Sequence, residues 1–183
     1  MSPFARSKFR YQVTPSDRQL WAIGMVVAQW ALLETLLAIT ADGFTDKEDT
    51  NDPLRKHFES LRGFDRRMDA LEGLIKSRMK MPWQGEILGI MRQVRYLADL
   101  RDKIVHGTWV GKLNAQQAGS EAHGVSKWIK PGPPFEWKLN YGGIVDVAVK
   151  IDDAHHQLMM FLIGAWGSPQ DFTVSDAIKR ILT

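Results

Sequence analysis

The stretch Arg95-Tyr96-Leu97-Ala98-Asp99-Leu100-Arg101-Asp102-Lys103-Ile104-Val105-His106-Gly107 decides how this sequence is read. At about 100° per residue, Val94, Leu97, Ala98, Ile104 and Val105 gather around Arg101, so a guanidinium lies on the apolar stripe of a helix. A charge left there without a partner is costly. Arg95, Asp99, Asp102 and His106 fall on a neighbouring polar stripe. Pro82 opens this helix and Gly107 closes it, in keeping with the preference for Pro at the start of a helix and Gly just past its end. His106 is thus placed at the C-terminus, where the helix dipole favours positive charge. Such a side chain suits acid–base work or an electrostatic clamp on phosphate; the alternative from local rules is a ring that only caps the last carbonyls. Arg101 and His106 lie about 140° apart around the axis and do not stack. Arg is long, however, and the helix ends at His106, so both heads can reach one phosphate.

Working outward, the first helix is predicted from Thr14-Pro15-Ser16-Asp17, with Thr14 as N-cap and Pro15 in the first position, to about Ala41. Glu34 shares a face there with Ile23, Val27, Trp30, Ala31, Ala38 and Ala41. An acid on one apolar stripe and Arg101 on another predict that the two meet, or share a partner, near the bundle core, since breaking a buried pair costs about 3–5 kcal/mol. Gly24, Ala28, Ala31 and Thr35 form a small-residue stripe that lets another helix approach. The run Leu20–Thr40 has the length of a bilayer span, but Glu34 within it is expensive in lipid, and a buried bundle helix accounts for it; no membrane contact is expected. Residues 42–52 read as an acidic, solvated linker without the spacing of a calcium loop. Asp52-Pro53 starts a second helix, and Phe64, Met68, Leu71, Ile75 and Met79 keep the helical period through a third. Phe135, Trp137, Leu139 and Tyr141 alternate with polar residues, as a half-buried strand does. Thr108–Leu113 and Val125–Lys130 are weaker strand candidates. A last long helix is expected over 144–164 and a short closing one over 173–182. The expected fold is therefore mainly α: an up-down bundle of about five helices in a single domain, 1–183, with an N-terminal arm at 1–13 and a small β-hairpin or meander inserted at 108–141.

Composition narrows the chemistry. The 183 residues contain no cysteine, which excludes disulfides, cysteine zinc sites and a catalytic thiol. A net charge of +3 permits nucleic acid as a partner without requiring it. The sequence has no Gly-rich phosphate loop, catalytic Ser motif or metalloprotease motif. Asp152 and His156 could share a helix face, yet no third ligand lies within sequence reach, so no metal site is expected. Lys127, Trp128, Lys130, Trp137 and Lys138 interleave charge with aromatics; strand aromatics of this kind more often pack on a core or an interface than stack on single-stranded nucleic acid.

The segment Arg101-Asp102-Lys103-Ile104-Val105-His106 resembles the Arg-polar-x-x-x-His signature of HEPN domains (higher eukaryotes and prokaryotes nucleotide-binding). Its context is similar too: a long first helix with Trp30-Ala31-Leu32-Leu33-Glu34, then the motif near the end of a later helix. The likeness extends over 15–165, with its specific part confined to six residues. It implies an all-α up-down bundle, usually a homodimer, and, in many members, a metal-independent endoribonuclease that uses no cofactor and whose Arg and His from two chains meet in a cleft at the dimer interface. On that reading Arg101 binds the scissile phosphate, His106 serves as base or acid for attack by the 2′-hydroxyl, and Asp102 orients one of them. Glu34 supports the site, and Arg66, Arg67, Arg95 and Lys103 contact RNA or nucleotide. The resemblance further implies a cytoplasmic protein of the toxin or defence type, with an antitoxin protein as a partner. One toxin subgroup carries Tyr two residues after the His; Thr108 stands there, so modification by a Tyr-directed antitoxin is not expected. Other members have lost nuclease activity and act as binding or interaction modules.

Overall fold

A computed structural model describes residues 15–45, 49, 51–110, 123–125, 136–137 and 139–164. Among them the chain is mainly helical: α1 (Asp17–Asp42), α2 (Pro53–Ser60), α3 (Phe64–Arg78), α4 (Trp83–His106) and α5 (Tyr141–Gly164).

The helix starts follow from capping chemistry. The Ser16 N–H donates to Gln19 Oε1 (2.9 Å) and the Gln19 N–H donates to Ser16 Oγ (3.3 Å), a reciprocal capping box that satisfies two helix-end donors. α1 therefore begins at Asp17 rather than at Pro15, and the expected cap, Thr14, lies outside the described residues. Asp52 caps α2 by accepting from the Leu54 N–H at 2.7 Å, with Pro53 in the first turn. Gly63 precedes α3 at φ 87°, a left-handed conformation open to glycine. Asn140 accepts from the Gly143 N–H at 2.8 Å, so α5 begins at Tyr141. This corrects the expectation that Tyr141 ends a strand and that the helix starts at 144: a good N-cap side chain wins over alternation.

The β-insertion expected over 108–141 falls mostly outside the described residues. Within it, Thr108–Val110 runs antiparallel to His123–Val125, which runs antiparallel to Glu136–Trp137. The arm at 1–13 and the closing helix at 173–182 also lie outside the described residues.

The chain forms two compact units, each made of two segments. The first comprises residues 1–27 and 99–148; Ala22, Val26, Ile104, Ile144 and Val147 are buried in it. The second comprises 28–98 and 149–183. It is a helical bundle whose buried residues include Leu33, Met68, Ile75, Met91, Leu97 and Leu158. Each such side chain contributes roughly 1.5–3 kcal/mol by leaving water. Trp30 stacks tilted on Phe64 at 5.2 Å, and Trp83 meets Phe161 edge-on at 5.8 Å.

α1 buries a stripe that keeps Trp30 and Ala41 of the expected one but not Val27, Ala31 or Ala38. Its inward residues are Ala22, Val26, Trp30, Leu33, Leu37 and Ala41. Val27, Ala31 and Ala38, on the Glu34 face, are exposed, as is the small-residue stripe Gly24, Ala28, Ala31 and Thr35. A Cβ built on Gly24 would meet nothing within 4 Å, so the stripe does not seat a neighbouring helix of the described chain. α1 is apolar on nearly every side, and periodicity cannot choose between two apolar faces. By length and composition it is the one helix among the described residues long and apolar enough to cross a membrane.

Candidate functional site

The last turn of α4 carries three of the expected site residues. Ile104 is buried there, which fixes the turn's orientation and places Arg101 beside the buried row. The Arg101 side chain is 24% exposed, with its Nε shielded from solvent: the stem lies along apolar surface and the head reaches outward, as long cationic side chains do. Arg101 Nη1 lies 2.7 Å from Asp102 Oδ1 and 3.2 Å from His106 Nε2. His106 Nε2 lies 3.9 Å from Asp102 Oδ1. The Asp102 and His106 side chains are 65% and 48% exposed. Three side chains thus converge at the helix end, open to solvent, although Arg101 and His106 leave the axis on different sides.

The cluster has two proton states. Arginine has only donors, so the 3.2 Å contact is a hydrogen bond only when Nε2 presents its lone pair. With Nε2 protonated, the favourable partner becomes the Asp102 carboxylate. One ring nitrogen can therefore hold or release a proton while a fixed cation stays beside it, which is the equipment for acid–base work on an anionic substrate.

Of the other expected site residues, Lys103, Arg95, Arg67 and Glu34 have partners elsewhere. Lys103 pairs with Asp99 one turn back. Arg95 lies in the second unit, where Nε meets Glu72 Oε1 at 2.7 Å and Nη2 meets Asp69 Oδ1 at 2.6 Å. Burial pulls on the Arg95 guanidinium, but the bonds and charges of Glu72 and Asp69 outweigh it and hold its pKa above the ordinary value. Arg95 is thus a half-buried clamp between α4 and α3. Arg66 is exposed and forms no ion pair among the described residues. Arg67 pairs with Glu34 at 3.5 Å. This corrects the expected Glu34–Arg101 pair: Glu34 is 35% exposed and held by Arg67, and Arg101 is held by Asp102 and His106. With Glu34 off the buried stripe, no desolvation cost forces it towards Arg101.

Sequence reasoning missed a groove formed by α1, α2 and α3. Leu37, Phe58, Phe64 and Met68 line it, and Arg55 and Asp42 pair across its rim at 3.3 Å. No single stretch of sequence announces it, because its walls come from three helices. Of the acidic segment 42–52, Asp42 holds Arg55 and Asp52 caps α2, so two of its acids are structural. Among the described residues no three His, Asp or Glu side chains are grouped to hold a metal ion. No protein-family model matches the chain, and neither a curated protein nor a solved structure resembles it closely enough to be counted a match.

Proposed function

We propose that this chain is an HEPN-like endoribonuclease that cleaves RNA by 2′-hydroxyl attack at the end of α4. The observation that carries the reading is the 3.2 Å approach of Arg101 Nη1 to His106 Nε2, with Asp102 at 2.7 Å, on an accessible helix end. His106, with its lone pair free, takes the proton of the 2′-hydroxyl. The 2′-oxygen attacks phosphorus, the bond to the 5′-oxygen breaks, and the proton taken up by His106 passes to that leaving oxygen. Arg101 turns from Asp102 to a non-bridging phosphate oxygen and stabilises the charge that develops there. Asp102 then steadies the protonated ring. The reaction needs a base, an acid and a cation, all supplied by side chains.

The reading extends to a homodimer binding RNA or nucleotide, a cytoplasmic toxin or defence role with an antitoxin partner, and a β-insertion over 108–141. Arg66, exposed and without an ion pair among the described residues, supports an RNA-contacting role; Arg95 and Arg67 reach RNA only by leaving their carboxylates.

A second reading, a non-catalytic binding or interaction module, is favoured by the 2.7 Å Arg101–Asp102 pair, which already occupies Nη1. Incubating purified protein with mixed RNA in EDTA separates the two. The nuclease reading expects cleavage that leaves 2′,3′-cyclic phosphate ends and is lost in Arg101→Ala and in His106→Ala. Absence of cleavage by the wild type, or equal cleavage by all three proteins, would overturn it.

A further inference from the structure

The groove missed by sequence reasoning encloses about 370 Å³ and lies wholly within the second unit, between the C-terminal half of α1, α2 and the start of α3. That volume falls in the range of small-molecule sites, which are mostly apolar with a few placed polar groups. Its floor is apolar, with Leu37, Met68 and Leu71, and Phe58 and Phe64 add aromatic surface. The Phe64 ring is held against Trp30 at 5.2 Å, so that wall is preformed.

The rim decides what the groove takes. Glu34 is matched by Arg67 at 3.5 Å and Asp42 by Arg55 at 3.3 Å. Arg55 also donates to Thr45 Oγ1 at 3.3 Å. Glu59 lines the same groove and has no ion-pair partner among the described residues. Three carboxylates therefore face two guanidiniums, a surplus of one negative charge beside two aromatic rings, whose faces attract cations.

We propose that this groove binds a small amphiphilic cation, with its apolar body on the floor and its ammonium group at Glu59. An anion would have to draw Arg55 or Arg67 from an existing pair, whereas a cation meets a carboxylate that has no ion-pair partner among the described residues. The groove shares neither Arg101 nor His106 with the nuclease reading, although Glu34 and Arg67 on its rim also figure there.

Calorimetric titration of the full chain with phenylbutylamine, phenylbutanol and phenylbutyrate tests it, because the three share one body and differ in head group. The amine is expected to bind tightest, about tenfold tighter than the carboxylate. Glu59→Gln, at an exposed position, should bring the amine to the level of the alcohol and leave the alcohol unchanged. Phe58→Ala should weaken all three. Equal binding of the three probes, tightest binding by the carboxylate, no binding at all, or an amine affinity indifferent to Glu59→Gln would each overturn the proposal.

Discussion

In α4 the buried residues Ile87, Ile90, Met91, Val94, Leu97, Leu100 and Ile104 lie on one side of the helix, and most of its charges lie on the other. In α1 the buried row Ala22, Val26, Trp30, Leu33 and Leu37 is matched on the outside by Trp21, Val27, Leu32 and Ile39, all exposed. The two helices are nearly equal in length, at 24 and 26 residues. What separates them is contrast. A helix with one apolar side has only one way to bury it, and its charges are placed by default. A helix apolar all round is oriented by its neighbours, and a charge on it says little about depth.

The sharpest way to break this comparison is to truncate two adjacent leucines of α1. Leu33 is fully buried and Leu32 is 53% exposed. Leu33→Ala is expected to cost about 2–5 kcal/mol in chemical denaturation, and Leu32→Ala less than about 0.5 kcal/mol. Equal losses would mean that the outer face of α1 is covered as well.

The charges extend the contrast. Arg95 is bound to two carboxylates at 2.6 and 2.7 Å with a side chain 31% exposed; Arg95→Ala should lower stability by about 1–2 kcal/mol. A loss below experimental error would show that the clamp between α4 and α3 is not formed in solution. Asp52→Ala, removing the α2 cap, should cost about 1 kcal/mol, visible as a shifted midpoint with unchanged slope. Glu34→Gln should be the mildest, within about 0.5 kcal/mol, because its pair with Arg67 is long and half in solvent. A large effect there would restore Glu34 as a buried charge.

The same contrast explains what was legible in the sequence. Five helices and the Asp52-Pro53 start follow from local patterns, and α4 ends at His106 as Gly107 indicates. The gathering of Arg101 and His106 at a helix end was legible because both lie in one turn-and-a-half of chain. The partner of Glu34 was not, because it depends on which side of α1 meets α3. Tyr141 was misplaced because alternation over 135–141 concealed the capping capacity of Asn140. The groove was invisible for the reason that hides most sites built from several elements: its walls are contiguous only after folding.

The central claim is that Arg101 and His106 act as one unit. A double-mutant cycle on RNA cleavage in EDTA tests it most directly. Arg101→Ala and His106→Ala should each lower the rate by about 10²–10³-fold, and the double variant should be scarcely slower than the worse single one, as for groups that work together. Losses that multiply in the double variant, or single variants that cleave as fast as the wild type, would contradict the account.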